Sequence, residues 1–117
     1  MCPSNQTEIL LVQTTCPDQE TARNLAKKLL DQGLAGCINI IGGIESHYRW
    51  EGEYRQGQEA LMLIKTAAET YPQLEMVITA SHPYELPEII AVPLSVGLPG
   101  YLEWVAGSAS QYKMKNP

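Results

Sequence analysis

Residues 34–52, LAGCINIIGGIESHYRWEG, and residues 53–66, EYRQGQEALMLIKT, are two β-patterned runs of similar length meeting at Gly52. Two such runs on either side of a turn residue predict an antiparallel hairpin. The hairpin is far longer than the mean strand of about five or six residues requires, so the rest of the chain must be laid onto this ribbon. Gly42 and Gly43 predict a bulge or sharp bend in the first run rather than a break, and Gly57 predicts an irregularity in the second. Past the bend, alternation puts Ile44, Ser46, Tyr48 and Trp50 on one side and Glu45, His47, Arg49 and Glu51 on the other. The tip, Trp50 to Tyr54, should project beyond the core, and exposed aromatics there suit a protein interface.

Before the hairpin, EILLVQTT (8–15) is a short apolar run that reads as a buried strand, and CPDQ supplies turn and helix-start chemistry. From Asp18, the residues Ala22, Leu25, Ala26, Leu29 and Leu30 share one helix face, and Gly33 stands where a C-capping glycine belongs. After the hairpin, Thr70 and Gln73 have capping-box spacing and Pro72 falls in the first turn, so a helix is expected over Tyr71–Ser81, ended by Pro83. EIIAVPLSV (88–96) reads as a strand marked as irregular or edge-lying by Pro93. PGYLEWVAGSA (99–109) reads as a last short helix. The order is β-α-β-β-α-β plus a C-terminal helix: an α+β chain of the ferredoxin-like, split βαβ kind with an antiparallel sheet. Helices on one sheet face leave the other to be buried elsewhere. Leu61 and Leu63 as well as Met62 and Ile64 make both faces of the return strand apolar, so an assembly of copies is expected.

Length and charge bound the function. The 117 residues, 44% hydrophobic, suffice for one domain over 1–117, with a core at about 8–107 and flexible termini. A net charge of −5 leaves no basic excess for nucleic acid or an anionic membrane. No apolar run approaches a membrane span and MCPSNQTE lacks the regions of a signal peptide, so a cytoplasmic protein is expected. Cys2, Cys16 and Cys37 are odd in number and widely spaced, which fits reduced thiols rather than a disulfide framework or a C-x-x-C site.

Taken in order, AGCINIIGGIESHYRWEG, LMLIKT and SHPYELPEIIAVPLSVGLPGYLEWV resemble the CutA family of divalent-cation tolerance proteins, over about Ile9 to Val105. The resemblance implies a ferredoxin-like subunit, a tight homotrimer with sheets extended across subunits, an architecture similar to PII signalling proteins, and a role in tolerance of copper or another divalent cation that folding does not require. The copper ligands it implies, a cysteine near the end of the first strand and a histidine pair, fall on Thr14 and on Ser81 and His82. Cys16, two residues on, could stand in for the missing cysteine, and Cys37 with His82 is the pair to test for a relocated site, since thiolate and imidazole both suit copper. Against these roles stand plainer ones: Cys37 as a small buried strand residue, His82 as a hydrogen-bonded helix-end residue.

Trp50, Tyr84, Tyr101 and Trp104 are the large aromatics available to line a cleft between subunits. Glu88, opening an apolar strand, needs exposure or a partner, and Lys65 is the expected one. No G-x-S-x-G, P-loop, H-E-x-x-H or Rossmann fingerprint occurs, and TTCPDQ lacks the glycines and arginine of an anion-cradling loop, so catalysis is not expected. The alternative to a cation-tolerance role is a PII-like regulator or scaffold that binds a small molecule or partner protein in the same clefts.

Overall fold

A computed structural model describes residues 8–109; the expected flexible termini lie outside them. Its elements are β1 (Ile9–Cys16), α1 (Gln19–Asp31), β2 (Cys37–Trp50), β3 (Glu53–Ala67), a 3-10 turn (Ala68–Thr70), α2 (Tyr71–Ser81), β4 (Ile89–Pro93) and α3 (Pro99–Ala109). The four strands form one antiparallel sheet in the order β2-β3-β1-β4. This is the expected α+β, ferredoxin-like arrangement.

Local chemistry sets the boundaries. Asp18 caps α1 by accepting from the Thr21 N–H at 2.7 Å, and its hydrogen bonding to Thr21 holds the carboxyl below the usual carboxylate range. At the other end, Gly33 takes φ 69°. The Gly33 N–H reaches the Leu30 carbonyl and the Leu34 N–H reaches the Leu29 carbonyl, a Schellman closure that needs a left-handed residue there. The Thr70–Gln73 capping box does not form. Thr70 sits in helical backbone at the end of the 3-10 turn, and its hydroxyl donates instead to the Ala109 carbonyl at 3.1 Å, tying α2 to α3.

The hairpin is as long as its pattern demands. Pairing runs from Cys37–Lys65 out to Trp50–Glu53 and closes through Glu51 and Gly52, both at positive φ, the geometry of a two-residue primed turn. The single irregularity in this ladder falls between Ile41 and Ile44. Gly57 pairs regularly with Ser46, because without strain or a ligand against it a strand glycine can simply continue the ladder.

One sheet face carries Val12, Cys16, Ala60, Met62 and Ile64 against Ala22, Leu25 and Leu29 of α1 and Leu74 and Ile78 of α2. Full burial of each large side chain there contributes about 1.5–3 kcal/mol relative to exposure. The helix α3 lies on the other face, over the Cys37 end, with Val105 against Gly36 and both Val105 and Ala109 buried. It covers only that end. The same face continues through half-buried Leu11, Leu61 and Leu63 to Ile41, Ile90 and Val92, which are 46%, 55% and 54% exposed. Glu88 and Lys65 do not meet, because β1 separates β4 from β3: Glu88 accepts from Gln13 Nε2 at 2.8 Å and Lys65 Nζ donates to Asn39 Oδ1. Among the described residues no helix is long and apolar enough to cross a membrane.

Candidate functional site

Pro83 ends α2 and swings His82 into extended backbone at φ −81°, ψ 139°, which turns the imidazole under the end of β1. His82 Nε2 donates to the Thr15 carbonyl at 2.7 Å and Nδ1 accepts from the Tyr84 N–H at 3.1 Å. An acceptor on one nitrogen and a donor on the other fix a neutral, Nε2-protonated ring. The Tyr84 ring packs on it at 4.7 Å between centroids, tilted by 48°. The Tyr84 hydroxyl donates to Glu59 at 2.7 Å, and Ser46 donates to the other oxygen of the same carboxylate at 2.6 Å. Burial first, then the bond to Glu59, push the Tyr84 phenol up. The segment after α2 is thereby tied to both β1 and the hairpin.

Cys16 faces this imidazole, with Sγ 4.0 Å from His82 Nε2, and donates to the Met62 thioether at 3.7 Å. Burial, and then the negative charges of Asp18 and Glu59, raise its thiol pKa to about 11. A position beside a helix start would lower a thiol pKa; here desolvation wins, and the group stays a thiol at neutral pH. Thr14, fully buried on the same strand face, has a hydroxyl oxygen with no hydrogen-bond partner.

The other sequence candidates separate in space. Cys37 lies on the opposite sheet face from Cys16 and His82, hydrogen-bonded to Tyr101, and this bond and burial raise the phenol pKa. Tyr101 contacts Trp104 at 5.8 Å, with Lys65 beside Cys37 in the ladder. Trp50 stands at the hairpin tip and Glu88 just before β4. The fold therefore brings together Cys16, His82 and Tyr84 in one group and Cys37, Lys65, Tyr101 and Trp104 in another. A cavity of about 210 Å³ opens beside the first group, between α1 and the end of α2, lined by Thr21, Asn24, Lys28, Ser81, His82 and Pro83. Sequence reasoning missed Asn24 and Lys28. Their only signal was membership of the polar face of α1.

The three positions marked for copper do not fit a resident ion. Thr14 offers a hard hydroxyl where copper prefers sulfur or imidazole, Ser81 accepts from Lys28 Nζ at 3.0 Å, and both His82 nitrogens are committed to backbone groups. A metal on Nε2 would strand the Thr15 carbonyl. Among the described residues no three His, Cys, Asp or Glu side chains converge.

Comparison with known proteins adds identity to this geometry. Residues 10–108 match the family described as CutA1 divalent ion tolerance protein. The divalent-cation tolerance protein CutA of Thermus thermophilus is 44% identical over 98 residues, covering 84% of this chain and 93% of that protein. Its solved structure superposes with a TM-score of 0.84 at 42% identity, over 86% and 97% of the two chains. A structure from Archaeoglobus fulgidus, described as a periplasmic divalent cation tolerance protein, gives a TM-score of 0.84 at 33% identity, over 87% and 99%. The chloroplastic CutA of Arabidopsis thaliana is 39% identical over 85% of this chain, which spans 54% of that longer protein.

Proposed function

The chain belongs to the CutA1 divalent ion tolerance family, and from that premise we propose that it serves divalent-cation tolerance in the cytoplasm as a homotrimer, meeting copper or a related cation through exchangeable, exposed groups and without catalysis. The observation that carries the assembly is the uncovered sheet face. Ile41, Ile90 and Val92 are about half exposed and share this face with Leu11, Leu61 and Leu63, in an apolar patch broken only by Gln13, Asn39 and Lys65, and large exposed apolar patches mark an interaction surface. A long hairpin reaching past the core gives the same copies a second place to grip.

The locked ring of His82 and the protonated thiol of Cys16 support exchange at the surface over a buried resident ion. In this reading Cys16, Cys37 and His82 hold the fold together, and the clefts beside Tyr84, Tyr101 and Trp104 lie where neighbouring copies approach. The absence of catalysis rests on the same chemistry, since the buried Cys16 thiol and Tyr84 phenol are both held protonated. Light scattering at micromolar concentration tests the assembly: the expected mass is three times the 12.9 kDa of one chain, and a monomeric mass would remove it. Complementation of a copper-sensitive strain tests the role. A nucleotide or metabolite that raises the melting temperature while cations do not would favour the regulator reading instead.

A further inference from the structure

The chain has two histidines, and the fold treats them oppositely. His82 is 9% exposed with both ring nitrogens committed to backbone groups. His47 stands on the hairpin past the bulge with its side chain 42% exposed, and Glu45, two residues away on the same side of β2, places Oε2 2.6 Å from His47 Nε2. On the other side of the ring, Nδ1 is hydrogen-bonded to the Tyr54 hydroxyl, and the two rings stack at 5.8 Å. That hydroxyl donates its own proton to Gln56 Oε1 at 3.2 Å.

The order of these bonds decides the chemistry. A phenol whose proton goes to Gln56 is left as an acceptor, so Nδ1 donates to it, and Nε2, hydrogen-bonded to the Glu45 carboxylate, is the nitrogen at which a cation would take the place of the shared proton. Histidines that bind metals characteristically donate their second N–H to a fixed acceptor, which sets the tautomer and the ring orientation. Tyr54 is placed as that acceptor. Gln58 lies opposite Glu45 in the ladder and can add a carbonyl oxygen. The nearest cation on the strand, Arg49, points its guanidinium toward the Gly52 carbonyl at the tip, 3.5 Å away.

We propose that Glu45 and His47 form a cation site on the hairpin, which takes zinc or divalent copper between the Glu45 carboxylate and His47 Nε2, with Tyr54 and Gln56 as positioning residues. The ion replaces the proton that the two groups now share. Metal–ligand distances of about 2.0–2.2 Å require their separation to open only to about 3 Å, which rotation of an exposed carboxylate supplies. Two protein ligands leave the remaining positions to water, so the ion stays exchangeable. This names the cation's ligands within the tolerance reading above, yet it stands on the His47 geometry and can fail while that reading survives.

The test uses the full chain and zinc, which is redox-silent and so does not oxidise the thiols. Long-range proton–nitrogen correlation spectra resolve two imidazoles, and zinc should shift His47 Nε2 while leaving His82 unmoved. In calorimetry His47→Ala and Glu45→Gln should weaken zinc binding at least tenfold, and Tyr54→Phe by about tenfold, with the circular dichroism of all three unchanged. Zinc shifts at His82 instead, or wild-type affinity in His47→Ala, would overturn the site. Failure of the wild-type protein to restore copper tolerance in cells would count against the family role rather than against the zinc ligands.

Discussion

Replacing His82 by alanine separates a structural imidazole from a ligand. The substitution leaves the Thr15 carbonyl without its 2.7 Å donor at the buried end of β1, and an unsatisfied buried acceptor costs about 1–3 kcal/mol. It also deletes the ring that Tyr84 packs on at 4.7 Å, worth about 0.5–1.5 kcal/mol. The half-buried Tyr84 N–H can turn to water and adds little. The expected loss is therefore about 2–4 kcal/mol, a large share of the stability of a domain this size. The assay is urea denaturation at fixed chain concentration in the presence of a chelator, where the midpoint should fall with the slope unchanged. His82→Gln should recover part of the loss, because its amide can donate toward Thr15. A stability within about 0.5 kcal/mol of wild type, together with a tenfold or greater loss of copper affinity, would refute the assignment and return His82 to the metal.

Three further outcomes follow from the same geometry. The Cys16 thiol is raised from 9.0 to about 11, so the unfolded chain ionises first as pH rises: stability should be full below pH 9 and fall between pH 9 and about 11, and Cys16→Ala should flatten that part of the stability profile. In Gly36→Ala the new Cβ would lie 3.0–3.1 Å from Val105, its backbone included, so α3 must shift; about 1–3 kcal/mol of destabilisation and a changed Trp104 fluorescence are expected, and wild-type values for both would show that α3 is loosely seated. Ile90→Glu places a charge in the uncovered apolar strip and should dissociate the assembly in light scattering, whereas an unchanged mass would move the interface elsewhere.

The fold was legible because its signals are local. The alternation along β2 and β3, the glycines at 42, 43 and 52, the helical face of α1 and Pro83 each act within a few residues, and each set the element expected of it. What stayed illegible depended on neighbours the sequence does not order. The expected Lys65–Glu88 pair fails because β1 is inserted between their strands, and Cys37 and His82 are parted by the thickness of the sheet. The contact of His82 with Cys16 arises from a loop's turn after α2, which no periodicity reports. Thr70 misled for a related reason: its spacing suits a cap, but a preceding 3-10 turn gave its hydroxyl a partner on α3.

The irregularity between Ile41 and Ile44 acts as a phase shifter. Below it, Ile41 pairs with Leu61 on the uncovered face; above it, Ile44 pairs with Glu59, so one additional residue has been absorbed and the even-numbered residues take over that face. Without the shift, Glu45 and His47 would continue the face of Cys37 and Ile41, and Tyr48 and Trp50 would turn to the other side. Deleting Gly43 would therefore remove the bulge yet leave Ile44 opposite Glu59 and the outer faces as they are, whereas pairing Gly43 straight through the ladder would carry Glu45 and His47 onto the apolar side. A single strand thus serves two surroundings, and the bulge marks where one gives way to the other.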